Sequence, residues 1–221
     1  MASISKDIQQ LLLKEFTLEW RNRHSLNGLL LYVISTIFVC YLSFKNIIEP
    51  TAWNALFWII ILFASTQAAF RSFITESKGR LLYLYTLTSP QAVILSKMIY
   101  NMLLIAAISV ISYLFYALVL GNVVENSSLF LIALLAGSMG LAAILTMMSA
   151  IASKAGNGST LMVILSFPVV VPLLMTIIKL CDQAIKGFFL SETYQYVIAL
   201  VALNLISITL SYLLFPYLWR E

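Results

Sequence analysis

The chain has 221 residues, of which 62% are hydrophobic and only 10% are charged, and its mean hydropathy is +0.98. A soluble domain carries about 25% charged residues, so this composition argues against a globule covered by water-facing side chains. The net charge of +4 is better explained by anionic lipid headgroups than by nucleic acid. The sequence therefore predicts a protein that lies in a lipid bilayer and has no nucleic-acid partner.

Six apolar segments are long enough to cross a membrane as helices. A spanning helix needs about 20 apolar residues, and continuous apolar runs without period-two alternation argue against spanning strands. We therefore predict an all-α polytopic membrane protein in which residues 1–221 form a single domain. The predicted spans are residues 26–44, 53–73, 93–120, 129–152, 161–180 and 194–219.

The distribution of Lys and Arg predicts the orientation of these spans. If both termini are cytoplasmic, ten of the 13 basic residues face the cytoplasm and three face outward, namely Lys45, Lys179 and Lys186. An excess of Lys and Arg is typical of cytoplasmic loops, so we predict an N-in, C-in topology. The first 23 residues lack a compact apolar core, so we expect that they are not a signal peptide and that the first span stays in the mature protein.

Residues 4–24 precede the first span and have helical amphipathic spacing. One face is apolar and the other is basic, which predicts a helix that lies in the cytoplasmic membrane interface. Glu15 and Glu19 are four residues apart and point toward the apolar side. Two interpretations stay open: the carboxylates meet basic groups on a partner protein, or they reach lipid headgroups or pair locally with Arg21 or Arg23.

The longest predicted cytoplasmic connection lies between the second and third spans. It begins with the charged residues 76–80 and continues as the apolar and aromatic run 81–87. Such a run is too short to cross a bilayer, but it can lie along the membrane or dock into a groove on another protein. Ser89 and Pro90 then predict the N-cap and the first residue of the helix that contains the third span.

Small residues and prolines predict how the fourth and fifth spans pack. Gly137 and Gly140 each follow an alanine four residues earlier, which allows close helix approach, either within the chain or at the seam of a homodimer. Pro168 and Pro172 remove backbone donors and favour a kinked fifth span. The kink is either a moving element or a fixed bend.

Polar groups inside the spans are few. Gln67, Asn101 and Asn204 are the strongest candidates, and hydrogen bonds between helices explain them adequately. Proton-driven carriers usually need ionisable groups near the middle of the membrane, and their scarcity here argues against such a carrier. A subunit driven by an external motor is favoured.

The sequence lacks the patterns that catalysis or a resident metal would need. His24 is the single histidine, so no His/Cys metal cluster and no Ser/His/Asp arrangement can form, and a lone haem ligand is disfavoured. Residues 156–160 lack the Lys of a phosphate-binding loop. We therefore predict a chain that is not an enzyme and has no resident cofactor. Cys40 and Cys181 either form a disulfide or remain two apolar thiols.

Three stretches of the sequence resemble the haem exporter protein B (CcmB) family, ABC-2-type permease subunits of cytochrome c maturation. They are residues 15–24 (EFTLEWRNRH), residues 70–97, which close with SPQAVILSK, and residues 166–174. In the last of these, Pro168 and Pro172 match the family's Pro-x3-Pro-Leu-Leu pattern. The resemblance extends from about residue 11 to the last span.

The resemblance implies a permease subunit of the bacterial inner membrane that couples ATP hydrolysis by a separate cytoplasmic ATPase to the delivery or release of haem. ATP would bind to the ATPase, and haem would be the handled substrate. The further partners would be a haem-handling membrane protein and a haem chaperone. Two alternatives stay open: a permease that exports another substrate, such as a lipid, glycan or drug, and a non-transporting scaffold of a haem-delivery complex.

The resemblance also implies which residues meet the ATPase. The family is usually more acidic directly after its second span than the present Ser72 and Phe73, which leaves Glu76 as the main acid. The head helix would flank the coupling surface with Glu15, Glu19 and Arg21. The surface itself would consist of Glu76, Gly79, Arg80, Leu81, Tyr83 and Tyr85.

Overall fold

A computed structural model of the chain describes residues 4–21, 23–44, 48–73, 88–154 and 158–219. Within these ranges the only regular structure is α-helix, in the order α1 (Ile4–Arg21), α2 (Arg23–Phe44), α3 (Pro50–Phe73), α4 (Pro90–Leu120), α5 (Ser127–Lys154), α6 (Gly158–Ile185) and α7 (Leu190–Trp219). Helices α2 to α7 are long and apolar enough to cross a membrane. The prediction of an all-α protein with six spans is thus confirmed, and the orientation and the interfacial position of α1 stay predictions.

Capping residues determine where several helices begin. The predicted cap at the start of α4 is confirmed, since the Ser89 hydroxyl accepts from the Ala92 N–H at 3.4 Å and Pro90 follows it. At the start of α7, the Phe189 N–H donates to the Glu192 carboxylate at 3.0 Å. These side chains satisfy backbone donors that the first turn of a helix leaves without partners.

The connection between α6 and α7 is shorter than the sequence indicates. The predicted spans end at residue 180 and resume at residue 194, which leaves residues 181–193 between them. Helix α6 continues to Ile185, and α7 begins at Leu190. The Lys186 ammonium pairs with the Asp182 carboxylate four residues earlier at 2.6 Å, and such i,i+4 pairs support a helix even where its residues are polar.

Helix α5 lies at the centre of the bundle. In its most apolar 18-residue window 72% of the residues are buried, compared with 17% in the corresponding window of α7. A Cβ atom built on Gly137 would lie 2.8 Å from Trp58 Cη2 of α3 and 2.9 Å from Ile177 Cδ1 of α6. The small residues of α5 therefore serve packing within the chain, and the alternative of a homodimer seam at Gly137 and Gly140 is wrong.

An aromatic cluster joins α3, α4 and α5 at the end of the bundle near residues 121–126. Neighbouring ring centroids lie between 4.8 and 6.5 Å apart, a separation at which aromatic pairs add stability beyond their buried area. The Trp53 indole N–H donates to the Gly121 carbonyl at 3.1 Å, and the Tyr116 hydroxyl donates to the Trp53 carbonyl at 3.1 Å. The cluster consists of Trp53, Phe57, Tyr113, Tyr116 and Phe130.

Asn126 ties together the two described connections at this same end, which we call the Asn126 end. Its amide oxygen accepts from the Leu129 N–H at 3.1 Å and so caps α5. Its amide nitrogen donates to the Phe188 carbonyl at 2.8 Å, and its backbone N–H donates to the Ala184 carbonyl at 3.0 Å. One side chain therefore fastens the connection between α4 and α5 to the one between α6 and α7.

Hydrogen bonds between helices account for two of the three predicted polar residues in the spans. Asn101 of α4 donates to the Thr146 hydroxyl of α5 at 2.8 Å, and Asn204 of α7 donates to the Ala136 carbonyl of α5 at 3.1 Å. Cys40 and Cys181 are both buried and free, so the disulfide alternative is wrong. The Cys181 sulfur instead accepts from the Trp58 indole N–H at 3.3 Å.

Candidate functional site

The candidate site lies at the end of the bundle opposite the Asn126 end, where α3 stops at Phe73 and α4 starts at Pro90. The sequence places the coupling segment between these two helices. Its predicted contact residues lie outside the described residues, so their roles stay predictions; they are Glu76, Gly79, Arg80, Leu81, Tyr83 and Tyr85. The structure does describe the helices on both sides of this segment.

A buried lysine joins the helices that surround the segment. The Lys97 side chain of α4 is only 3% exposed. Its ammonium donates to the Ser72 carbonyl at 2.7 Å and to the Glu15 carboxylate at 3.3 Å, and it lies 5.0 Å from the centre of the Phe73 ring. We call Glu15, Ser72, Phe73 and Lys97 the Lys97 cluster, and this end of the bundle the Lys97 end.

The Lys97 cluster supplies partners that each of its groups needs. The Ser72 carbonyl belongs to the last described turn of α3, and the Lys97 ammonium donates to it, as basic side chains near the end of a helix often do. An ammonium removed from water is stable only when it is paired and hydrogen-bonded. The carboxylate, the carbonyl and the aromatic face meet that requirement from α1 and α3.

Helix α1 packs against α4 beside this cluster. Leu11 is 7% exposed, and the Phe16 ring meets the Tyr100 ring edge to face at a centroid distance of 5.2 Å. Glu15 also lies 3.5 Å from Lys14. The partners of Glu15 therefore come from its own chain. Neither interpretation of the sequence, a partner protein or lipid headgroups and local arginines, included the main partner, Lys97.

The other predicted residues of the head helix differ in their surroundings. Glu19 is half-buried and, like Glu15, lies close enough to Tyr100 to act electrostatically on its hydroxyl. Arg21 is exposed in the last turn of α1. The face that packs on α4 therefore holds both carboxylates, whereas Arg21 points away from it.

Helix α7 also reaches the Lys97 end. The rings of Phe73 and Phe215 are 5.7 Å apart, so Phe73 contacts α7 as well as the Lys97 ammonium. A cleft of about 250 Å³ beside this contact is lined by Gln91 of α4 and by Tyr212, Leu213, Pro216 and Tyr217 of α7. Four helices thus converge where the coupling segment leaves and re-enters the described bundle.

The two prolines of the predicted kinked span lie within α6. The helix continues through Pro168 and Pro172, and both residues are exposed. Neither can donate a backbone hydrogen bond, so the carbonyl groups of Ile164 and Pro168 lose their usual helical partners. The Thr176 hydroxyl donates to the Pro172 carbonyl at 2.9 Å. Whether this part of α6 moves stays a prediction.

The Lys97 end joins four helices through ion-pair, hydrogen-bond and ring contacts. Among the described side chains, no three His, Cys, Asp or Glu residues come together in a way that could hold a metal ion. The side chain of His24 lies outside that description.

Comparison with known protein families gives a match over nearly the whole chain. The sequence model of the family described as CcmB protein matches residues 6–217, a range that extends from the first turn of α1 to near the end of α7. A search among curated proteins finds no significant match.

Proposed function

The chain belongs to the CcmB protein family, and we propose that it is the subunit through which a cytoplasmic ATPase drives haem delivery during cytochrome c maturation. The family comprises the haem exporter permeases of the ABC system for cytochrome c maturation. Together with the six apolar helices, membership identifies a multi-pass membrane permease in haem and cytochrome c biogenesis. The bacterial inner membrane is the expected location.

The Lys97 cluster is the observation that supports the coupling role. It connects the last turn of α3, the first turns of α4 and the head helix α1 at the two points where residues 74–87 join the bundle. In our proposal, the aromatic run 81–87 and its charged neighbours dock on the ATPase. Helices α1, α3 and α4 then move together, because residues 74–87 cannot shift next to Phe73 without straining its contact with Lys97.

The proposed mechanism is conformational work rather than chemistry on this chain. ATP binding closes the ATPase pair, and the docked segment moves the Lys97 end. The aromatic cluster and Asn126 hold the opposite end, so the motion is passed on as a tilt of the bundle. Such coupling requires two states that the nucleotide distinguishes energetically. Haem, the haem-handling membrane protein and the haem chaperone would meet the moving complex rather than a site inside this subunit.

Co-purification with the ATPase subunit tests the docking role. We expect the double substitution Tyr83→Ser and Tyr85→Ser to remove the ATPase from the purified complex, because it deletes the aromatic surface of the segment. Phe188→Ser with Phe189→Ser is the matched control, since these exposed aromatic residues lie at the Asn126 end. Retention of the ATPase by the Tyr83/Tyr85 variant would contradict the assignment.

The two alternative functions, a non-transporting scaffold and an exporter of another substrate, predict different effects on cytochrome c maturation. If the subunit is a non-transporting scaffold, an ATPase partner that cannot hydrolyse ATP will leave cytochrome c maturation intact. If it exports another substrate, deletion of the gene will leave c-type cytochromes at their normal level. We expect both interventions to abolish maturation, measured as covalently bound haem in membrane fractions.

A further inference from the structure

A groove between α3 and α6 lies near the Lys97 end and has no role in the proposed coupling. Its volume is about 350 Å³. It opens on the surface of two membrane-spanning helices, so its natural occupant comes from the bilayer. Its walls are Thr66, Gln67, Phe70 and Arg71 of α3, and Met162 and Val163 of α6.

Of the three polar residues singled out in the predicted spans, Gln67 is the one that helix packing does not explain. Its side chain is exposed and makes no hydrogen bond to any residue that the structure describes, whereas Asn101 and Asn204 are both bonded to neighbouring helices. A primary amide that faces hydrocarbon without a partner is costly. A ligand in the groove that offers an acceptor would remove that cost.

Arg71 lies one turn beyond Gln67 on the same side of α3 and is half-buried. Because a helix rises about 1.5 Å per residue, Arg71 lies about 6 Å nearer to the Lys97 end than Gln67 does. A cation and an amide at these two depths match the phosphate and the glycerol esters of a membrane lipid. Arg71 already interacts with other groups of the chain, and it acts electrostatically on Tyr100, but its five N–H donors allow a further partner.

The remaining walls distinguish a lipid from a free anion. Val163 is 58% exposed and Met162 is fully buried behind it, while Phe70 contributes a half-buried ring. An inorganic phosphate gains nothing from these surfaces. An acyl chain gains contact along the groove, and its headgroup reaches Arg71 at the same time.

We propose that this groove is a binding site for an anionic phospholipid. The phosphate binds the guanidinium of Arg71, whose planar fork matches phosphate oxygens. Gln67 donates to a glycerol ester oxygen, and one acyl chain lies along Phe70 and Val163. Basic pockets between spanning helices are a general means of binding anionic headgroups. The proposal does not depend on the identity of the transported substrate.

Native mass spectrometry of the full-length chain tests the site, with phosphatidylglycerol and phosphatidylcholine of equal chain length as probes. We expect R71Q to weaken phosphatidylglycerol binding about fivefold, the contribution of one basic residue near an anionic surface, and to leave phosphatidylcholine binding unchanged. V163W fills the groove and should weaken both lipids. R71K, which keeps the charge but loses the fork, should lie between R71Q and the wild type.

K154Q is the matched control, because Lys154 is an exposed basic residue at the same end of the bundle, outside the groove. An equal loss in K154Q and R71Q would show diffuse attraction and overturn the proposal. Undiminished lipid binding by V163W would overturn it as well. Val163 is largely exposed, so this variant is expected to fold, and its thermal unfolding midpoint provides the check.

Discussion

Lys97 holds the ends of α1 and α3 against its own helix. Its side chain is almost fully buried, and Glu15, Ser72 and Phe73, which contact its ammonium, belong to two other helices. Removing one member of a buried ion pair leaves an uncompensated charge, which costs more than the pair itself contributes. The effect of a substitution here therefore depends on which charged group is left behind, and not only on which contact is removed.

We expect Lys97→Met to lower the free energy of unfolding by about 2 kcal/mol or more, because Glu15 and the Ser72 carbonyl lose their shared donor. Lys186→Met is the control, since Lys186 is exposed and its i,i+4 pair with Asp182 contributes only about 0.5 kcal/mol. Thermal unfolding in detergent measures both. Equal shifts in the two variants would show that Lys97 is not held as described.

The double variant Glu15→Gln with Lys97→Met separates charge from packing. We expect it to be more stable than Lys97→Met alone by about 1 kcal/mol, since it no longer leaves a half-buried carboxylate with only the partly exposed Lys14 as its partner. The double-mutant cycle from the same unfolding measurements gives the coupling energy. A purely additive result would mean that the two side chains do not interact.

The sequence reveals Glu15 more readily than its partner. Helical spacing places this carboxylate on the apolar face of α1, which shows that it needs a cation. Lys97 lies 82 residues further along the chain, and periodicity gives the face of a helix but not the helix that covers it. A basic residue within the third predicted span was the available signal, since such a residue requires a partner as well.

At the scale of helices, the apolar runs predict the spans but not their polar ends. The end of α6 and the start of α7 depend on the Asp182–Lys186 pair and on Glu192, which hydropathy counts as loop residues. The Ser89–Pro90 start of α4 is predictable because its signal is local. The central position of α5 depends on how the surfaces of the helices fit together, which the apolar runs do not contain. Its glycines indicate close packing but not which helix packs against them.

Gly137→Ala should destabilise the bundle by about 1–3 kcal/mol. The added methyl group would meet the Trp58 ring and Ile177 at less than 3 Å, and overpacking of this kind forces side chains and backbone to shift. Gly28→Ala is the matched control, because a Cβ atom there has no neighbour within 4 Å and alanine is the better helix former. A Gly137→Ala protein as stable as the wild type would refute this packing.

Asn126 permits a test of how the two connections are joined. We expect Asn126→Ala to cost about 2 kcal/mol, one part from the lost cap of α5 and one from the lost bond to the Phe188 carbonyl. Asn126→Asp keeps the capping acceptor and loses the donor, so its unfolding midpoint should lie between those of the wild type and Asn126→Ala. If the Asp variant matched the Ala variant, the cap would contribute nothing.

At the scale of the whole molecule, the orientation predicted from the distribution of charge can be checked directly. Thr17 is exposed on α1 and Asn122 is exposed at the Asn126 end. We expect Asn122→Cys to react with a membrane-impermeant maleimide in intact cells, and Thr17→Cys to react only after permeabilisation. The wild type is the background control, because Cys40 and Cys181 are buried. The reverse labelling pattern would contradict the N-in, C-in prediction.

The central position of α5 has a consequence for biosynthesis. Chains are made from the N-terminus, so α5 reaches the membrane before α6 and α7 do. Gly137 then lacks its contact with Ile177, and the Ala136 carbonyl lacks the Asn204 donor. The helix that is most enclosed in the finished bundle therefore spends its first moments with one side facing lipid, and its packing is completed only when the last span arrives.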